Sequence, residues 1–278
     1  MHPISKVCFT QYPPGNKVVP EIENIDTTLN YYGYRSDDFE DVESNFLFSG
    51  CSFGWGAGLP DNSSWAYFMN QLLDGKRFHN LSQSGNSADN IIDNVYRFIR
   101  QFGKPKGVVI IFPNLERFAL YDKIPEGISY QSYLFHPTVT IEYQPMLNDQ
   151  KDLEFLNEKV FTQTYLEYNF LNRVKQLEEY LDAIGIPFLW STWTYDVAKI
   201  IDPEQYQNYV TLGTLHGKDV PVDLRQEVFD YIKNNMPEPG EEEYWLEAAD
   251  KPAPHPGIAE QKYFAQAMAK SFRKKFDV

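Results

Sequence analysis

Gly50-Cys51-Ser52-Phe53-Gly54 follows the apolar run Phe46-Leu47-Phe48, with only Ser49 between them. A buried strand that ends in Gly-x-Ser-x-Gly and turns into a helix lifts a serine hydroxyl clear of a sheet. The glycines allow a tight, strained turn and keep bulk away from the hydroxyl and the neighbouring N–H groups. Ser52 in such a turn is a candidate nucleophile for acyl transfer or hydrolysis. The plainer alternative is a Gly/Ser loop joining strand to helix. A serine alcohol attacks only when a base takes its proton and a third group orients that base. Of the five histidines, His2 is terminal, His216 sits in a featureless loop, His136 precedes Pro137, and His79 has no acid nearby in sequence. His255 stands apart, in Asp250-Lys251-Pro252-Ala253-Pro254-His255-Pro256-Gly257, where a proline-stiffened loop can hold an imidazole at a sheet edge. Cys51 is a second possible nucleophile. Adjacent residues leave a strand in opposite directions, so the frame set by Gly50 and Gly54 selects Ser52 and leaves Cys51 as a small buried filler.

The elements that must position these residues alternate. The runs Phe46–Phe48, His79–Ser82, Val108–Phe112 and Ile186–Trp190 read as strands, and the continuous, β-branched third run reads as buried on both faces. Helical spacing carries Trp65, Phe68, Met69, Leu72 and Leu73, with Asp61 or Asn62 as cap. It recurs through Ile91–Phe102 with Asn86 or Ser87 as cap, through Leu166–Ile184, and from about Ile258 to Phe272. Strands alternating with helices predict an α/β fold with a mostly parallel sheet, whose ligands bind beyond the carboxyl ends of the strands. Ser52 lies at such an end, as do the residues after Ser82 and after Phe112. Residues 1–44 read as an irregular N-terminal arm and 45–278 as the main domain. Two insertions interrupt it: an aromatic, hairpin-like one at about 119–150, and a poorly periodic one at about 194–250.

The chain has 278 residues, enough to bury a core without disulfides. With 25 Lys+Arg against 39 Asp+Glu, its net charge of −14 disfavours nucleic acid or an anionic membrane surface as partner. Cys8 and Cys51 are the two cysteines and have no metal-ligand spacing, which points to a reducing compartment. No basic-then-apolar leader and no apolar window of membrane-spanning length occurs. The expectation is therefore a cytoplasmic or virion-associated chain, without signal peptide or transmembrane segment.

Taken in order, these segments resemble the blocks of the SGNH (GDSL-type) hydrolases. Gly50-Cys51-Ser52-Phe53 resembles the first block, with Cys51 where aspartate is usual. Asn80-Leu81-Ser82-Gln83-Ser84-Gly85-Asn86 resembles the second, and His255-Pro256-Gly257 the last. Asn30-Tyr31-Tyr32-Gly33-Tyr34-Arg35 is similar to a lead-in found in some members. The third block departs from Gly-x-Asn-Asp: here it is Phe112-Pro113-Asn114-Leu115-Glu116. Four residues separate Asp250 from His255 where the family has two, and Pro252 takes the acid's usual place. Either Asp250 reaches His255 through a bulged loop or a backbone carbonyl orients the imidazole. The larger α/β-hydrolase fold fits less well, because its serine elbow follows several strands.

The resemblance implies a three-layer α/β/α fold with a five-stranded, flavodoxin-like sheet. It implies a carboxylic ester hydrolase with Ser52, His255 and Asp250 as triad, and an oxyanion hole of the Ser52 and Gly85 N–H groups with the Asn114 amide. The substrate is then a small-molecule or glycan O-acyl ester, and that chemistry needs neither metal nor organic cofactor. The alternative is a non-catalytic SGNH-like module that binds glycan or serves a structural role, for example in a phage particle.

Overall fold

The computed structural model describes residues 17–22, 25–115, 117–124, 127–134, 162–249 and 255–277. In chain order its elements are β1 (Lys17–Ile22), β2 (Ile25–Leu29), β3 (Phe46–Gly50), α1 (Ser52–Trp55), α2 (Trp65–Leu72), β4 (His79–Asn80), α3 (Ala88–Phe102) and β5 (Gly107–Phe112). They continue as β6 (Arg117–Ile124), β7 (Gly127–Leu134), α4 (Gln163–Ala183), β8 (Phe188–Thr192), α5 (Tyr195–Ala198), α6 (Val222–Asn234) and α7 (Ile258–Phe276). The protein is mixed α/β. Its main sheet has the order β4-β3-β5-β8 with every pairing parallel.

Alternation along β5 explains why helices cover both faces of this sheet. Val108, Ile110 and Phe112 join one core cluster, with Ile91, Val95 and Phe98 of α3 and Phe170, Val174 and Leu177 of α4. Val109 and Ile111 join the other, with Trp65 and Met69 of α2 and Phe264, Met268 and Phe272 of α7. All six residues of β5 are buried, as its unbroken apolar run predicts.

Local chemistry sets the element ends. Ser64 caps α2 by accepting from the Tyr67 N–H. The expected cap Asp61 is instead drawn away by Arg35 and the Thr28 N–H. Ser87 caps α3 through the Asn90 N–H. At the end of α4, the Gly185 N–H bonds the Asp182 carbonyl and the Ile186 N–H bonds the Leu181 carbonyl. This left-handed glycine closure uses up Ile186, so the following strand starts at Phe188, two residues later than its sequence suggests.

The described sheet has four strands where five are expected. At the β8 edge one isolated parallel bridge joins Trp190 to Tyr209. The segment expected as an irregular arm is more ordered than its composition suggests. Within it, β1 and β2 form an antiparallel ribbon, and Tyr34, Phe39 and Val42 belong to the α3-side core. The aromatic insertion does contain a hairpin, β6–β7, paired from Arg117–Leu134 to Ile124–Gly127; residues 135–150 of that insertion lie outside the described residues. Among the described residues no helix is long and apolar enough to cross a membrane.

Candidate active site

Three loops leave neighbouring parallel strands at one carboxyl edge. β3 ends at Gly50, opposite Ile111 of β5, and one more residue leads to Ser52. β4 runs beside β3 and leads into the Ser82–Ser87 loop that carries Gly85. Asn114 follows β5 and is half-buried. The loops are tied together: the Gly50 carbonyl accepts from the Gln83 N–H and from Asn86 Nδ2, both at 3.3 Å. Gly85 has φ +73° and open space where a Cβ would be, so backbone there is accessible without a side chain in the way.

Ser52 is the first residue of α1, after the extended cap Cys51. The strain expected at the serine is not in its own backbone, because Ser52 is not among the residues with positive φ. The tightness is in the flanking glycines. A Cβ on Gly54 would sit 2.3 Å from Ser82 Oγ and 3.2 Å from Trp65 Nε1. Ser52 itself is 2% exposed, and its Oγ has no hydrogen-bond partner among the described residues. A buried hydroxyl left in that state costs about 1–3 kcal/mol, a cost expected of functional positions more than of packing ones. Cys51 packs in the cluster of Phe48, Trp65 and Phe264, as a small buried filler would.

The turn is held from behind by Arg35, which is 6% exposed. Its Nη1 donates to the carbonyls of Trp55 (3.0 Å) and Gly56 (2.7 Å), its Nη2 to that of Leu59 (2.8 Å), and its Nε to Asp61 (2.8 Å). A guanidinium suits this task because its donors form a fixed fork.

His255 enters from the loop before α7. Its carbonyl accepts from the Ala248 N–H, Pro256 bridges to Glu247, and the Gly257 N–H donates to Leu246. A Cβ on Gly257 would be 2.4 Å from the Leu246 carbonyl carbon, so these two backbones pack without room for any side chain. The His255 ring meets the Phe53 ring edge-on at 5.2 Å. The structure therefore brings His255 beside the residue that follows Ser52 but does not close a hydrogen bond to Ser52 Oγ. Asp250 lies outside the described residues.

A second imidazole stands on the same ring. His216 lies 5.4 Å from Phe53, and its Nε2 is 3.2 and 3.3 Å from the two carboxylate oxygens of Glu260. Glu260 is buried in the first turn of α7, where the helix dipole favours a carboxylate. Trp193, just past β8, packs edge-on against Phe53 at 4.1 Å. Sequence reasoning passes over His216 because 44 residues separate it from Glu260 and no local pattern links them. The available signal is Glu260, an acid in the first turn of the helix that the apolar spacing from Ile258 to Phe272 predicts. Among the described residues no three His, Cys, Asp or Glu side chains gather closely enough to hold a metal ion.

No protein-family model matches the chain, and no curated protein matches it. The class of the protein is thus carried by its fold and site: an α/β protein with a serine at the carboxyl edge of a parallel sheet.

Proposed function

We propose that this chain is a serine esterase of the SGNH type, acting on an O-acyl ester through an acyl-enzyme on Ser52. One observation carries the reading. Ser52, Gly85 and Asn114 follow three adjacent parallel strands at a single carboxyl edge, with an imidazole against the residue next to the serine. The order β4-β3-β5-β8 supports the reading, since it is the order expected of the first four strands of a flavodoxin-like 2-1-3-4-5 sheet. In that topology the switch point falls between β3 and β5, where Ser52 and Asn114 emerge.

In the proposed cycle Ser52 Oγ attacks the ester carbonyl as His255 takes its proton. The oxyanion is met by the N–H groups of Ser52 and Gly85 and by the Asn114 amide. His255 then protonates the departing alcohol, and water it activates releases the acid. Asp250, or a backbone carbonyl in its stead, orients His255.

That Ser52 Oγ makes no hydrogen bond to His255 favours a second reading, a non-catalytic module of the same fold that binds glycan or serves a structural role. Treating the full chain with a fluorophosphonate probe and an aryl acetate separates the two. The esterase reading expects labelling at Ser52 and turnover, with Ser52→Ala and His255→Ala each lowering turnover by about 10⁴-fold or more. A folded wild-type chain that neither labels nor turns over supports the module; intact turnover in Ser52→Ala discards Ser52 as nucleophile.

A further inference from the structure

The cycle above leaves the His216–Glu260 pair unused, yet the fold holds His216 firmly. The His216 carbonyl accepts from the Tyr195 N–H (3.1 Å), and its N–H donates to Thr214 Oγ1 (3.0 Å). Thr214 Oγ1 in turn donates to the Trp193 carbonyl (2.6 Å). Gly217, at φ +107°, presses against Tyr195 and Asp196 with no room for a Cβ. A surface loop of no consequence would not need this many anchors to the carboxyl end of β8.

The pair also has a polarity. Glu260 is 6% exposed at its side chain and His216 31%, so the imidazole is the accessible member of the pair. In the tautomer whose Nε2–H donates to the carboxylate, Nδ1 is an acceptor.

We infer that His216 is a specificity-determining residue of the Ser52 site: its Nδ1 accepts a hydrogen bond from a hydroxyl on the alcohol half of the ester, selecting O-acyl esters of polyhydroxylated alcohols such as sugars. The inference rests on the esterase reading. A site built to bond a substrate hydroxyl disfavours an analogue that lacks it, because its polar groups are left unpaired. A simple alkyl ester would do that here.

The test compares kcat/KM on an O-acetylated methyl glycoside and on an aryl acetate, for the full chain and its His216→Ala and Glu260→Gln variants. In His216→Ala the glycoside-to-aryl ratio falls about 10- to 100-fold, mainly through KM, as expected for a lost hydrogen bond. Glu260→Gln moves the ratio the same way by less, and serves as the readout if His216→Ala does not fold. An unchanged ratio, or an equal loss on both esters, overturns the inference while Ser52 labelling upholds the esterase. A wild-type chain that neither labels at Ser52 nor hydrolyses the aryl ester removes the esterase reading and this inference with it.

Discussion

Single residues here are governed by what burial does to their polar atoms. His79 is fully buried, edge-on to Phe39, with Phe98 beyond. Desolvation lowers its pKa from 6.5 to about 4, outweighing the nearby Asp37 carboxylate. The sign of the consequence follows. Unfolded chains take up a proton near pH 6.5 and the folded protein does not until near 4, so stability from His79 is complete above 6.5, falls as pH drops through that window, and levels off below it. The loss amounts to about 3 kcal/mol. His79→Leu should flatten that part of the stability–pH profile, measured by urea unfolding across the window. An unaltered slope would assign acid lability to other groups. His79 was legible as a strand residue, but not as a buried neutral imidazole, because Phe39 and Phe98 reach it from distant parts of the chain.

At the scale of elements, the glycines of the serine turn act through close approach. Ser82 of the neighbouring loop occupies the space a Gly54 side chain would need, with its Cβ 3.0 Å and its Oγ 2.3 Å from that point. Overpacking of this kind costs about 1–3 kcal/mol. Gly54→Ala should lower the melting temperature and the rate of Ser52 labelling, and adding Ser82→Gly should restore both. Two variants whose effects simply add would show that the residues do not share this contact. Elements themselves were largely readable. The strand at Gly107–Phe112 and the helices Ala88–Phe102 and Ile258–Phe276 follow from apolar spacing. Where the structure differs from the sequence pattern, a side chain is taken by a tertiary partner, as Asp61 is by Arg35, or a backbone N–H is spent on closing the previous helix, as at Ile186.

For the molecule as a whole, Arg35 is the tie between the N-terminal segment and the serine turn. It gathers three carbonyls and one carboxylate. Arg35→Ala leaves those groups without their donor and should cost about 3 kcal/mol in chemical denaturation. Arg35→Lys should recover little of it, since one ammonium cannot reproduce the fork. Full recovery by lysine would reduce the contact to charge alone. The segment read as an arm is thereby part of the core that the serine turn rests on.

What the sequence determined by itself is what short-range physics encodes. Periodicity set the α/β alternation, an unbroken β-branched run set the buried central strand, and glycine spacing put Ser52 at a strand end. The tertiary structure decided the strand order, and with it which loops share an edge. It also decided that two histidines, not one, meet Phe53, and that one of them is paired with Glu260. Those facts depend on contacts between residues tens of positions apart. Local propensity is blind to such contacts, because packing and desolvation act on distance in space and not on distance along the chain.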